Sequence, residues 1–196
     1  MAVVLVNFRS PDDTIECIAS ILAGSAHPRI IVADNQSEDG SIDRIAAWAR
    51  GESDTPVTNQ FHANEDYETI RRPLSYDILQ PGEQLSGQLK PLTLIHTGNN
   101  LGFAGGNNQG LRIAQGCDEI RYFWLLNNDT TVEATTVANL RATFEAHPEW
   151  GMLGTPIKLY HQPDRYQLLN GMRFNKWTGA AKGIAAGARR QPQLPP

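Results

Sequence analysis

The chain has 196 residues, a formal net charge of -4, 40% apolar residues and 19% charged ones. That length fits one domain with a real core, and the charge leaves no basic footprint for nucleic acid or anionic lipid. No apolar stretch approaches the length of a membrane span, and the amino terminus lacks the basic region and cleavage site of a signal peptide. Cys17 and Cys117 lie far apart without CxxC spacing, which argues against a disulfide framework or zinc site and for a reduced, cytoplasmic setting.

Ala2–Val6 is an apolar, β-branched run and reads as the first strand of a parallel sheet. Ser10, Pro11, Asp12 and Asp13 signal a helix start: a Ser cap, Pro in the first turn and acids at its positive end. Ile15, Ile18, Ala19 and Leu22 mark the buried face, and Gly24 and Pro28 end the helix. Arg29–Ala33 reads as a second strand, running into Asp34-Asn35-Gln36-Ser37-Glu38-Asp39-Gly40. A second helix places Ile42, Ile45, Ala46 and Ala49 on one face, with Gly51 just past its end.

Between Gly51 and Pro91 lies a polar, proline-containing segment of about 40 residues, far longer than the usual α/β connection. It reads as a surface insertion with room for a short strand or helix; a lid or an assembly surface are the alternatives. Leu92–His96 is the third main strand. Thr97–Gly106 (TGNNLGFAGG) then reads as a Gly-rich loop feeding a helix whose inner face holds Leu111 and Ala114. A Gly-rich loop before a helix suggests phosphate binding, yet the spacing is neither GxGxxG nor a P-loop.

Tyr122–Leu126 is a continuous apolar run, the pattern of a strand covered on both faces. It meets Asn127, Asn128 and Asp129 abruptly. Open α/β sheets bind ligands at the carboxyl ends of their strands, and a carboxylate there can hold a divalent cation and, through it, a diphosphate. Turn chemistry explains the same residues equally well. A helix from near Glu133 buries Val137, Leu140 and Phe144, and Trp150–Leu153 is a candidate fifth strand. The order predicts an α/β fold, a Rossmann-like, mostly parallel sheet with helices on both faces.

Four segments in this order, VVLVNF, VADNQSEDGS, NNLGFAGGNNQGL and LLNNDTTVE, together resemble the family-two glycosyltransferases, in particular the bacterial rhamnosyltransferase-like branch. The resemblance covers about the first 160 residues apart from the insertion, and implies a GT-A fold. It implies an enzyme that transfers a sugar from a nucleoside-diphosphate sugar to a hydroxyl of a saccharide or lipid-linked saccharide, with Mg²⁺ or Mn²⁺, in cell-surface polysaccharide synthesis.

Carried over position by position, Asp129 matches the last acid of the family's Asp-x-Asp-like metal motif, and Asn127 its first position. Asp34 matches an acid that recognises the base or ribose, with an Asx turn as its plain alternative. Asn7 and Phe8 match contacts around the base, and Asn107 and Asn108 match amides facing the donor pocket, or simple helix caps. A location in the cytoplasm or peripheral to the inner membrane face is expected, with no nucleic-acid partner and no transmembrane segment, as the charge and the apolar pattern indicate; homo-oligomerisation stays open.

An inverting transferase needs a general base, which this family carries in its second half. After Tyr160 the chain offers only Asp164 as an acid, so no catalytic residue is assigned. The expected organisation is a nucleotide-sugar-binding domain over 1–160 with the insertion at 51–91. The start of an acceptor-binding half follows over 161–187, with a hairpin in NGMRFNKWTGAAKGIAAG, and a disordered tail over 188–196. Family members continue for about another 100 residues, so the chain reads as the donor half of a longer enzyme. The alternatives are a catalytically silent nucleotide-sugar-binding or assembly module and, disfavoured by the absence of a basic Gly-rich first loop, a nucleotidyltransferase.

Overall fold

The computed structural model describes residues 1–54, 68–85, 87–168, 172–184 and 186–189. Two compact units are present, residues 1–143 and 144–196.

The first unit is built on a five-stranded parallel sheet. Its strands are β1 (Ala2–Asn7), β2 (Arg29–Asp34), β3 (Tyr76–Leu79), β4 (Leu92–His96) and β5 (Phe123–Asn127), in the spatial order β3-β4-β2-β1-β5. The four expected strands are therefore neighbours. The fifth, β3, comes from within the segment read as an insertion and adds an edge strand beside β4. The tail expected over 188–196 lies mostly outside the described residues.

Helices α1 (Pro11–Leu22) and α2 (Ser41–Arg50) bury Ile15, Ile18, Ile45 and Trp48 against Val3, Leu5, Ile30, Val32, Leu92 and Leu94. Gly51 closes α2 in a left-handed conformation, φ +83°, where a side chain would be strained. Helix α3 (Gly102–Gln115) lies on the opposite face. It begins inside the segment expected to be a loop, so Gly105 and Gly106 are helical, as is Gly110 further along.

The reason is packing. A Cβ on Gly110 would stand 2.4 Å from Val4 Cγ1, and one on Gly106 2.9 Å from Val6 Cγ1. These two glycines sit four apart on one helix face and let α3 lie directly on β1. Leu111 is only partly buried, and Gly106, Asn107, Gly110 and Ala114 form the inner face instead.

Two further expectations need correction. Strand β5 is an edge strand, with Phe123 38% and Leu125 47% exposed, whereas Trp124 and Leu126 pack on the core. Register places Phe123 and Leu125 level with Ala2 and Val4, on the α3 side. A helix about 10 Å wide spans about two strands at 4.8 Å spacing, so α3 lies mainly over β1 and β2 and covers β5 only in part. Trp150–Leu153 is not a strand; Trp150 stacks on His147 with ring centroids 4.0 Å apart.

Helix α4 (Thr136–Ala146) starts a few residues later than its pattern suggests and buries Val137 and Leu140. In the second unit β6 (Ile157–Leu159) pairs antiparallel with β7 (Gln162–Leu168), and β8 (Met172–Phe174) with β9 (Ala181–Gly183) as the expected hairpin. The Asn175 side-chain oxygen accepts the backbone N–H groups of Trp177 and Thr178 and so holds that hairpin's turn.

Candidate functional site at the carboxyl edge of the sheet

Parallel pairing aligns Asn7 with Asp34 and Val6 with Asn127. The last residues of β2, β1 and β5 therefore lie side by side at one edge, and Asn128 and Asp129 follow directly. Asp34 and Asp129 leave the sheet on this same edge, with β1 between them.

Asp34 is 4% exposed and its oxygens are already occupied. Asn7 Nδ2 donates to Asp34 Oδ1 at 2.6 Å, the Ser37 hydroxyl donates to the same oxygen, and the Ser37 backbone N–H donates to Oδ2 at 3.1 Å. The Asp34 carbonyl accepts the Thr97 N–H at 3.1 Å, and the Thr97 hydroxyl lies between the Asn99 and Asp34 carbonyls at 2.7 and 2.8 Å. The carboxylate thus ties the β2–α2 turn to β1, and a buried charge held by several donors is tolerated where an unpaired one is not.

Asn127 and Asp129 are exposed at the end of β5, and Phe8 is 43% exposed at the end of β1. Arg9 lies beside it, its guanidinium 5.1 Å from the Phe8 ring centroid. Arg9 holds φ +57°, and its backbone N–H and Nε donate to Ser37 Oγ and the Ser37 carbonyl at 3.0 and 3.2 Å. Gln36 and Glu38 are left-handed too, so three non-glycine residues in the two loops after β1 and β2 carry strained backbone.

The N-terminal turn of α3 is fixed to the same edge. Asn35 Nδ2 donates to the Gly102 carbonyl at 2.9 Å, and Asn35 Oδ1 accepts the Leu101 N–H at 3.4 Å. Asn107, 3% exposed, donates to the Phe103 carbonyl, while its buried Oδ1 finds no partner among the described residues. Asn108 points to solvent on the outer face of α3 and is not brought together with the others. A cavity of about 670 Å³ bordered by Leu22, His27, Arg29 and Pro91 lies at the amino ends of β2 and β4, and none of these candidate residues lines it.

Sequence reasoning passed over a column of small polar residues on α1. Cys17 Sγ approaches the Asn127 carbonyl at 3.8 Å, Ser20 Oγ accepts the Val132 N–H at 3.1 Å, and the Ser25 N–H donates to the Ala134 carbonyl at 3.0 Å. Ser10, read as a helix cap, makes no side-chain cap; its hydroxyl accepts Asn128 Nδ2 at 2.9 Å. Helix α1 therefore holds the segment carrying Asp129. The signal was present in Thr14, Cys17 and Ser20, small polar residues three apart on the face of the helix that holds its apolar residues. Full burial pushes the Cys17 thiol up to about 12.

Charge at the edge is acidic. The carboxyl of Asp13, on the first turn of α1, is held above its ordinary range by partial burial first, then by the negative charges of Asp129, Glu16 and Asp12. No group of three or more His, Cys, Asp or Glu able to enclose a metal occurs among the described residues. Asp129 fits a hard cation of the kind that takes one carboxylate from the protein and fills its shell with waters and diphosphate oxygens.

An open parallel α/β sheet of this kind presents its ligand site at the carboxyl ends of its strands. The profile of Glycosyl transferase family 2 matches residues 75–190, more than half of the chain, and takes in β3 through β9 with Asp129. The chain belongs to this family. Its fold is the GT-A-like, Rossmann-like arrangement, and membership implies a nucleotide-sugar donor and an acceptor. Neither the curated proteins nor the solved structures compared with it give a match. No helix among the described residues is long and apolar enough to cross a membrane.

Proposed function

We propose that the carboxyl edge binds a nucleoside-diphosphate sugar, and that the chain serves its inverting transfer to a hydroxyl on a saccharide or lipid-linked saccharide. The observation that carries this reading is the register that sets Asn7, Asp34 and Asn127 at the ends of three adjacent strands, with Asp129 two residues further on. In this reading Phe8 offers an exposed ring for the base, and Asp34 with Asn7 forms a rigid floor against which base or ribose is recognised. Asp129 holds Mg²⁺ or Mn²⁺ by its one carboxylate, with Asn127 beside it. The cation, when bound, neutralises charge on the departing nucleoside diphosphate.

The rhamnosyltransferase-like motifs favour a deoxythymidine- or uridine-diphosphate sugar and a role in cell-surface polysaccharide synthesis, in the cytoplasm or at the inner membrane face. A second reading, donor binding without turnover, is favoured by one observation. Asp164, the acid on β7, is exposed to solvent rather than held by neighbours in a shape that suits a general base. Calorimetry with a panel of nucleoside-diphosphate sugars, with and without Mn²⁺, tests donor binding, and product analysis with saccharide acceptors separates the two readings. Absence of binding to every donor overturns both.

A further inference from the structure

Four side chains form one directional line of hydrogen bonds beneath the carboxyl edge. Asn128 Nδ2 donates to Thr14 Oγ1 at 2.9 Å. The Thr14 hydroxyl donates to Asn7 Oδ1 at 2.7 Å, and Asn7 Nδ2 donates to Asp34 Oδ1 at 2.6 Å. Thr14, Asn7 and Asp34 are all buried, at 0%, 0% and 4% exposure. A hydroxyl has one proton and can accept as well as donate, so Thr14 is suited to stand in the middle of such a line.

The direction of the line is fixed by its end. Asp34 accepts only, so Asn7 turns its NH₂ toward Asp34 and Ser37 and its oxygen toward Thr14. Thr14 then gives its proton to Asn7, the nearer of two acceptors, since the Ser10 carbonyl stands 3.0 Å away. Its lone pair is left for Asn128. Bonds aligned head to tail in a low dielectric polarise one another, so the carboxylate at one end firms the grip on Asn128 at the other.

We propose that Thr14 is a positioning residue that couples the nucleoside end of the edge, at Asp34, to the diphosphate end, at Asp129. Asn128 is the residue immediately before Asp129, and it is clasped by Ser10, just ahead of α1, and Thr14 on its first turn. Asp129 itself is exposed and depends on its neighbour's anchorage for a fixed approach to a cation. The proposal rests on the reading of this edge as a nucleoside-diphosphate site. It gives α1 a task beyond packing: to hold a surface carboxylate in place through a buried hydroxyl.

The test compares wild type, Thr14→Val and Thr14→Ser for binding of uridine diphosphate and deoxythymidine diphosphate by calorimetry, with and without Mn²⁺. Valine keeps the shape and removes the hydroxyl, and serine restores the hydroxyl alone. Loss of one buried hydrogen bond of about 1.4 kcal/mol corresponds to about a tenfold loss of Mn²⁺-dependent affinity in Thr14→Val. Binding without Mn²⁺ is expected to stay unchanged, and Thr14→Ser to bind as wild type does. Thr14→Val with wild-type Mn²⁺-dependent affinity overturns the proposal, as does an equal loss with and without the metal. Should Thr14→Val fail to fold, Asn128→Ala removes the same bond from the half-exposed side, and wild-type binding by that variant overturns the proposal. A wild-type chain that binds neither diphosphate instead overturns the functional reading on which the proposal rests.

Discussion

Asn7 and Asp34 face each other across paired strands, and the Asn7 amide donates to the Asp34 carboxylate at 2.6 Å at the last position of each strand. The pair joins β1 to β2 beyond their backbone ladder, and it is buried. Asp34→Ala is therefore expected to act on stability as well as on binding. It leaves Asn7 Nδ2 and the Ser37 donors without their acceptor, at a cost of about 1–3 kcal/mol. Denaturant unfolding should show a lowered midpoint with unchanged slope, and calorimetry a weakened nucleoside contribution with metal dependence retained. A variant as stable as wild type would show that water replaces the carboxylate freely.

Asp129→Ala should leave the fold intact. The side chain is exposed just past β5, and such a surface change shifts stability by about 0.5 kcal/mol or less. Mn²⁺-dependent affinity for a nucleoside-diphosphate sugar should fall beyond the roughly 10–100-fold typical of a lost outer-shell partner. Equal metal-dependent affinity in the variant and wild type would remove Asp129 from the cation site.

Gly110→Ala tests the close approach of α3 to β1. Alanine is the better helix former by about 1 kcal/mol, yet its Cβ would meet Val4 Cγ1 at 2.4 Å. Overpacking of this kind costs about 1–3 kcal/mol, so the variant should melt lower than wild type. Trimming the obstacle in the double variant Val4→Ala/Gly110→Ala should show a favourable coupling in a double-mutant cycle. Purely additive losses would mean that the glycine serves something other than the helix–sheet contact.

Cys17 sets an alkaline limb of stability. Its thiol is raised from about 9 to about 12 by complete burial against the β5–α4 segment. A raised folded value means that its contribution is complete below pH 9, where both states are protonated. The contribution is lost as pH rises from 9 toward 12, because the unfolded thiol ionises first. Stability should fall there by up to about 1.4 kcal/mol per pH unit from this group. Cys17→Ala should flatten that part of the pH profile relative to wild type, in urea unfolding at pH 8 to 10.5. Parallel profiles for the two chains would count against a protonated buried thiol.

Much was legible from local pattern. Ala2–Val6, Arg29–Ala33, Leu92–His96 and Tyr122–Leu126 are short apolar runs between helical periodicities, and right-handed crossovers leave few ways to arrange them other than a parallel sheet. Because each acid follows its strand directly, the placement of Asp34 and Asp129 at one edge followed from topology alone. Gly51 was equally plain, since a helix end with a left-handed residue selects glycine.

What local pattern left open depends on groups that meet only across the fold. Gly105 and Gly106 have the composition of a phosphate loop, and only Val6 beneath Gly106 shows that it belongs to the close-packed face of a helix. Ser10 has the sequence of a cap, but its hydroxyl is turned to Asn128, 118 residues away. An apolar run does not reveal whether both its faces find a cover, so Phe123 and Leu125 looked buried although α3 lies mainly over β1 and β2 and only borders β5. The sequence by itself determined the elements, their order and the edge at which the acids emerge, because propensity and periodicity act within a few residues. Which hydroxyls and amides join those acids was decided only by tertiary structure, because a hydrogen bond requires its partners within about 3 Å and the chain supplies them from distant segments.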